Sequence, residues 1–322
     1  MSSRKDRATQ VAHGLLWALR HPVRAVKMAS AMQRGDGRYL AGALEGDHAN
    51  AAVLGLMVRG GVRTVTFGSG GHIWTTDLGD EIGRSLWLSG GYETEEIEAL
   101  LDWLGRSDHG TAWIADVGAN IGTTTIPFAD AGYRVLAVEP VPSTFAMLAS
   151  NVAANDANDR VRCVHCAIST VAGELEMWTG FGSGQAEIAV DGREPALSRW
   201  GDKGDLVSVS ARPLGEIIAD HEIDPGELAL VWADVQGSET AVILSAVECW
   251  AAGVPLYLEV DPKSLDLHDG IDAFLEAAAT HFTTFLTRSD LIGRRPPRPI
   301  ADFPGFVRSI DATSYSDALL IP

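Results

Sequence analysis

Hydrophobic and polar positions change period several times along the chain, and each change predicts an element. Residues 8–20 and 22–34 set Leu15, Leu16, Leu19, Val23 and Val26 in a helical stripe beside Arg20, Arg24 and Lys27, with Pro22 suited to the first turn of the second helix. Val62, Thr64 and Thr66 then alternate, Gly68–Gly71 interrupts, and alternation resumes over His72–Thr76, the pattern of a hairpin. Glu93–Leu104 predicts a helix with Ile97, Leu100, Leu101 and Leu104 on one face. Apolar runs then predict strands over Ala112–Val117, Arg134–Glu139, Val161–Ser169, Leu228–Val235 and Pro255–Val260. Helical patterns separate them over Ile121–Ala131, Ser143–Asn155, Arg212–His221, Glu239–Ala251 and Ile271–Thr280. Shorter strands follow at Glu174–Trp178, Phe282–Leu286 and Ala318–Ile321. This rhythm predicts an α/β fold with a mostly parallel, doubly wound sheet covered on both faces. A helical arm (1–40) and a small β and glycine-rich segment (41–90) precede the main domain (91–322).

Composition narrows the function. The 322 residues are 46% hydrophobic, enough for one large core, and carry a net charge of −18 that opposes binding to nucleic acid. Eight Lys and Arg against two Asp fall within residues 1–40, so the arm is basic and the body strongly acidic. That stripe fits either docking on the acidic body or lying on an anionic membrane surface, and net attraction favours the body. No apolar run reaches membrane-spanning length, and Leu15–Leu19 is too short for a secretory signal. Three cysteines, an odd and sparse set, fit a chain kept reduced in the cytoplasm. Cys163 and Cys166 lie in an alternating run that points them to opposite faces, and no second Cys pair completes a metal site. The Gly68–Gly71 stretch lacks the Lys-Ser/Thr helix start of a phosphate loop and reads as a turn.

The chemistry concentrates where the first strand of the main domain ends, in Asp116-Val-Gly118-Ala-Asn120-Ile-Gly122-Thr123. Glycines at 118 and 122 permit a sharp turn and close approach of a ligand at the carboxyl edge of the sheet. The spacing is not that of a nicotinamide fingerprint. Glu139 ends the next strand, where a carboxylate can accept both hydroxyls of an adenosine ribose. With Val138-Glu-Pro140, Cys166-Ala-Ile-Ser169, Asp234-Val-Gln-Gly-Ser-Glu239, Leu258-Glu-Val-Asp-Pro262 and the closing Ala318–Pro322, the chain over roughly residues 78–322 resembles FkbM-type S-adenosylmethionine-dependent methyltransferases.

The resemblance implies a Rossmann-like class I methyltransferase fold and O-methylation of small molecules, sugars or glycans. It places Asp116, Gly118, Asn120 and Gly122 around the methionine end of S-adenosylmethionine, Glu139 on the ribose, and Ala167 and Ile168 beside adenine. Asp234 would face the transferring methyl, as a general base or as a ligand for Mg²⁺, and Glu259 is the second candidate base. Glu93, at a helix start that already favours a carboxylate, is also a candidate for the methionine end. Two departures stand out: Trp232 where the family often has Lys, and Gln236 where it often has Glu. Thr170 likewise replaces a frequent Asp. Asp116 and Asp234 could instead cap the helices that follow them. His72 and His109 are weaker base candidates, His165 reads as a strand residue that packs or faces solvent, and Arg294–Pro299 reads as a stiff surface loop that could also attract an anionic acceptor. The rival functions are an N- or protein methyltransferase, against which stands the lack of an Asn/Asp-Pro-Pro-aromatic motif at the fourth strand, and a nucleoside-binding protein without turnover. The acceptor itself and the oligomeric state have no motif in the sequence.

Overall fold

A computed structural model describes residues 47–105, 112–179, 186–189, 205–311 and 314–322. The proposed arm, His109 and most of the Gly/Pro-rich stretch before residue 205 lie outside them. The described chain falls into two compact units that part between Tyr92 and Glu93.

The first unit holds the helix Asp47–Arg59, the hairpin of β1 (Thr64–Ser69) and β2 (His72–Asp77), and the helix Glu81–Ser89. The predicted hairpin is present, with antiparallel partners from Thr64↔Asp77 to Ser69↔His72. Gly70 has a φ of +61°, and a Cβ there would meet the Gly90 carbonyl oxygen at 2.1 Å, so the turn requires glycine. Both helices are additions to the expected β segment. His72 sits at the start of β2, edge-on to Trp74, and carries no site.

The second unit is built on an eight-stranded sheet. Its first five strands in space are β5 (Val161–Val164), β4 (Arg134–Val138), β3 (Trp113–Val117), β10 (Leu228–Ala233) and β11 (Leu256–Val260), all parallel. In chain order that is 3-2-1-4-5, the doubly wound arrangement with its switch point between β3 and β10. Beyond β11 come antiparallel β14 (Ser316–Ile321), then β12 (Thr284–Thr287) and β13 (Arg298–Pro299). This is the expected α/β, doubly wound, Rossmann-like fold.

Alternation along the strands divides the core in two. Val117, Val138, Ala233, Leu258 and Leu320 pack one face against the helices Leu214–Asp220, Glu239–Ser245, Val247–Ala251, Ile271–His281 and Phe303–Ser309. Ile114, Ala137, Trp232, Tyr257, Leu319 and Leu286 pack the other against Thr94–Leu104, Thr125–Asp130, Pro142–Ala154 and Arg288–Ile292. On this second face Asp116, Trp232, Tyr257, Leu319 and Leu286 are register partners in one row across the sheet. One step nearer the carboxyl edge, side-chain alternation places Asp234, Glu259 and Asp317 in the next row.

Four boundaries differ from expectation. The run Val161–Ser169 is not one strand: it breaks at His165, after which β6 (Ala167–Ile168) leaves the main sheet and joins a second, four-stranded one. That sheet contains β7 (Gly173–Thr179), β8 (Glu187–Ile188) and β9 (Asp205–Arg212), the last an unpredicted strand that ends where the expected helix begins, at Leu214–Asp220. The helix expected over Ile121–Ala131 is confined to Thr125–Asp130, because Asn120, Gly122 and the side chains of Thr124 and Thr125 are used to shape the preceding loop. Glu239–Ala251 is interrupted at Ala246, whose φ of −136° is not helical.

Gly118 has a φ of +82°, and a Cβ there would lie 1.9 Å from the Asp234 carbonyl oxygen. Gly118→Ala therefore meets both backbone strain and a clash with main chain. It is expected to destabilise the protein by about 3 kcal/mol or more, read from urea unfolding followed by tryptophan fluorescence.

Candidate functional site

The loop after β3 is held from both sides. The backbone N–H groups of Gly118 and Ala119 donate to the Val138 carbonyl at 2.9 and 3.0 Å, and Asp234 N–H donates to Val117 O at 3.0 Å, so the ladder continues past the strand ends. Asn120 takes a φ of +53°, a conformation asparagine tolerates, and its Oδ1 accepts from Ile121 N–H at 2.7 Å. Asn151 Nδ2 donates to the Ile121 carbonyl at 2.8 Å from the helix behind.

Two carboxylates fix this loop. Asp116 is fully buried, and its Oδ2 accepts from the hydroxyls of Thr124 (2.7 Å) and Thr125, while Oδ1 is buried with no hydrogen-bond partner. Glu139 accepts from Val141 N–H at Oε1 (2.8 Å) and from Asn120 N–H at Oε2 (3.0 Å), leaving a lone pair on each oxygen. The capping alternative for Asp116 is thus partly realised, through threonine hydroxyls rather than helix N–H groups.

At the end of β10, Asp234 Oδ1 accepts from the Gln236 side-chain amide at 2.7 Å, and the same Nε2 donates to Glu259 Oε1 at 3.3 Å. Gln236 and Gly237 are both left-handed, with φ of +51° and +104°, which curls the loop back over the strand end. Glu239 Oε1 accepts from the N–H groups of Val235 and Gly237, both at 3.3 Å, so Glu239 and not Asp234 organises the start of the following helix. Trp232 fills the row beneath, 4.6 Å from Tyr257 and 5.9 Å from Phe128 between ring centroids.

The electrostatics are one-sided. Burial pushes Asp116 up to about 6, against the Thr125 and Thr124 hydroxyls, and Glu139 up to about 8, against its two backbone donors. Burial likewise raises Asp234, opposed by the Gln236 amide, and raises Glu93 and Glu259 well above the ordinary carboxylate range. Asp317 reaches about 7 and Glu239 about 8, again chiefly through burial. The charge of Asp234 adds to the upward push on all six of the others. Asp234 is therefore the electrostatic centre of the cluster.

The structure thus gathers Glu93, Asp116, Glu139, Asp234 and Glu259 at one carboxyl edge, with the loop of Gly118, Asn120 and Gly122 among them. Ala167 and Ile168 are buried in β6, paired with Ala211 and Arg212 in the second sheet. His165 stacks on Phe145 at 4.8 Å, and its Nε2 lies 2.9 Å from the Pro140 carbonyl. Arg294 bonds to Asp102 at 3.2 Å, while Arg295 and Arg298 bond to Asp290 at 3.4 and 2.9 Å, so those arginines are engaged with the chain's own acids. Among the described residues no group of three His, Cys, Asp or Glu side chains is arranged to hold a metal. Among them too, no helix is long and apolar enough to cross a membrane. Sequence reasoning missed Thr124, Thr125, Tyr257 and Asp317. Trp232 and Gln236 had left a trace, as departures from the family pattern.

Residues 116–281, just over half of the chain, match the Methyltransferase FkbM domain. The chain belongs to that family. The matched span opens on Asp116 and takes in Glu139, Asp234 and Glu259. Methyltransferase sdnD of Sordaria araneosa is 28% identical over 155 residues, which cover 41% of this chain and 59% of that protein. The chain thus spans less than two thirds of that relative's length. Two solved structures are similar at low identity. The O-methyltransferase from Bacillus cereus in complex with SAH is 13% identical, with a TM-score of 0.38 over 74% of this chain and 96% of that one. M. jannaschii TYW2 in complex with AdoMet is 11% identical, with a TM-score of 0.40 over 80% and 84%.

A carboxyl group whose value is higher folded than unfolded binds its proton more tightly in the folded protein. Stability is then greatest below the unfolded value, near 4, and falls as pH rises through the folded one. For Asp116, Asp317 and Glu139 the windows close at about 6, 7 and 8. The unfolding free energy of the ligand-free protein is expected to fall between pH 5 and pH 8, by up to about 1.4 kcal/mol per pH unit for each group titrating. Asp317→Asn should flatten that slope, exceeding the wild type in stability at pH 8 but not at pH 5; a flat wild-type profile in urea titrations would contradict the assignment.

Proposed function

We propose that this protein is an S-adenosylmethionine-dependent methyltransferase that methylates a hydroxyl oxygen of a small-molecule, sugar or glycan acceptor. The observation that carries the reading is the arrangement around Gly118, with Asp116 and Glu139 on one side and the Asp234–Gln236–Glu259 bridge on the other. Family membership and the SAH and AdoMet complexes of the similar structures support the choice of methyl donor.

The residues present fit that donor. The partnerless Asp116 Oδ1 and the free lone pairs of Glu139 can accept hydrogen bonds from a cation and from a ribose diol. Gly118, lacking a Cβ, leaves room for close approach. Glu93 faces the same cluster and suits the ammonium of the methionine end, while the Ala167–Ile168 backbone is assigned to the adenine side. When bound, S-adenosylmethionine supplies a methyl group already activated by its sulfonium charge.

The chain's own work is then alignment and proton removal. Gln236 occupies Asp234 Oδ1, which turns Oδ2 toward the acceptor as the base that takes the hydroxyl proton. Partial burial makes Asp234 a stronger base than an exposed aspartate. Glu259, on the same amide, is placed to hold the acceptor hydroxyl or to share the proton. Fixing the reacting atoms within about 3–3.5 Å of one another contributes several kcal/mol.

The wild-type protein is expected to bind S-adenosylhomocysteine in calorimetry, and no binding would remove the reading. Glu139→Ala should weaken that binding by about tenfold or more, corresponding to ~1.4 kcal/mol. Glu139→Gln, which keeps one backbone acceptor, serves as the folding control. Asp234→Asn should still bind S-adenosylhomocysteine, yet release of that product with a mixed glycan and small-molecule pool should fall by about 10²–10⁴-fold.

A further inference from the structure

One acid at the carboxyl edge, Asp317, has no part in the proposed reaction. Asp234, Glu259 and Asp317 lie on three adjacent strands, and Glu259 and Asp317 are direct register partners. Glu93 and Glu96 come from the start of the helix Thr94–Leu104 above the same face. Among the described residues, the carboxyl groups of Glu93 and Asp317 make neither a hydrogen bond nor an ion pair. Arg288, at this end of the row, is engaged with Glu95 at 3.0 Å and with Glu96.

A second observation comes from beneath the row. Tyr257 is 1% exposed and stacked on Trp232, yet its hydroxyl has no hydrogen-bond partner. The charges acting on it are those of Asp317, Glu96 and Glu93, opposed by Arg288, so the hydroxyl lies close to this acidic group. A buried hydroxyl left unpaired is destabilising. Like charges withdrawn from water are balanced either by protons or by a bound cation. The Gln236 Nε2 already donates to one oxygen each of Asp234 and Glu259, a poor setting for a metal ion bridging the two, which favours an organic cation.

We propose that Glu259, Asp317 and Tyr257 anchor the methyl acceptor, and that the acceptor is a hydroxylated organic ammonium compound. This rests on the methyltransferase reading and narrows its substrate class. The positive nitrogen sits against Glu259 and Asp317. A protonated or quaternary nitrogen has no lone pair, so it serves as the anchor and is not the atom methylated. The hydroxyl of the same molecule is presented to Asp234, and the Tyr257 O–H donates to an acceptor oxygen.

The test uses the full chain saturated with S-adenosylhomocysteine, and a pair of probes of equal shape, choline and 3,3-dimethylbutan-1-ol. Saturation-transfer NMR is run at pH 8, above the value of about 7 to which burial brings Asp317. Choline is expected to bind about tenfold or more tightly than the neutral isostere. Asp317→Asn should lose most of that preference. Equal binding of the two probes, tighter binding of the alcohol, no choline binding, or full preference retained in Asp317→Asn would each overturn the anchor. Failure of the wild type to bind S-adenosylhomocysteine would instead remove the reading on which the anchor rests.

Discussion

The close passage of Gly118 beneath the Asp234 carbonyl is the contact on which the site depends. Parallel strands β3 and β10 stay paired to their carboxyl ends only because the chain after β3 turns away without a side chain in the gap. The turn sends residues 119–124 over the edge, where Asn120 N–H can meet Glu139 and two threonine hydroxyls can meet Asp116. One glycine thereby brings the acids of three strands into a common space. Any larger residue at 118 would push β10 aside and separate Asp234 from the loop.

That convergence is costly by itself. Seven carboxyl groups share a poorly hydrated region, each raised first by burial and six of them further by Asp234. The aromatic row of Trp232 and Tyr257 lies directly beneath and keeps the surroundings apolar, which strengthens every electrostatic term at the edge. The protein offsets part of the cost with donors: two backbone N–H groups on Glu139, two on Glu239, hydroxyls on Asp116 and one amide shared by Asp234 and Glu259. Glu93 and Asp317 receive none of this help. Such local violation of the rules for a stable interior is the signature of a ligand site rather than of a core.

Much of this was legible in the sequence, for identifiable reasons. Strands buried on both faces leave continuous apolar runs, so β3, β4, β10 and β11 could be placed, and with them Asp116, Glu139, Asp234 and Glu259. What was hidden depends on pairing between distant segments. Val161–Ser169 reads as one strand because both halves are apolar, yet its halves pair with β4 and β9 in different sheets. Asp317 becomes significant only through its register with Glu259, and Tyr257 only through the helix that covers it. The shorter helix at Thr125 was equally unreadable, since its first turn is given up to bonds that Asp116 makes eight and nine residues away.

The two departures from the family pattern at β10 become intelligible together. Position 232 lies on the same face as Asp234, one row deeper, so a lysine there would sit under the acids as their counter-charge. Trp232 gives up that charge for a stack with Phe128 and Tyr257. Had position 236 remained glutamate, the edge would have lost a cation while keeping every anion. Gln236 instead removes one negative charge and turns a repelling group into a donor that bridges Asp234 and Glu259. The exchange leaves the net charge of the site unchanged but moves its organisation from a buried ammonium to a neutral amide at the rim. An amide cannot neutralise the acids it bridges, so their charge is balanced by the protons that burial makes them hold, by Arg288 beside Asp317, and by whatever cation binds there.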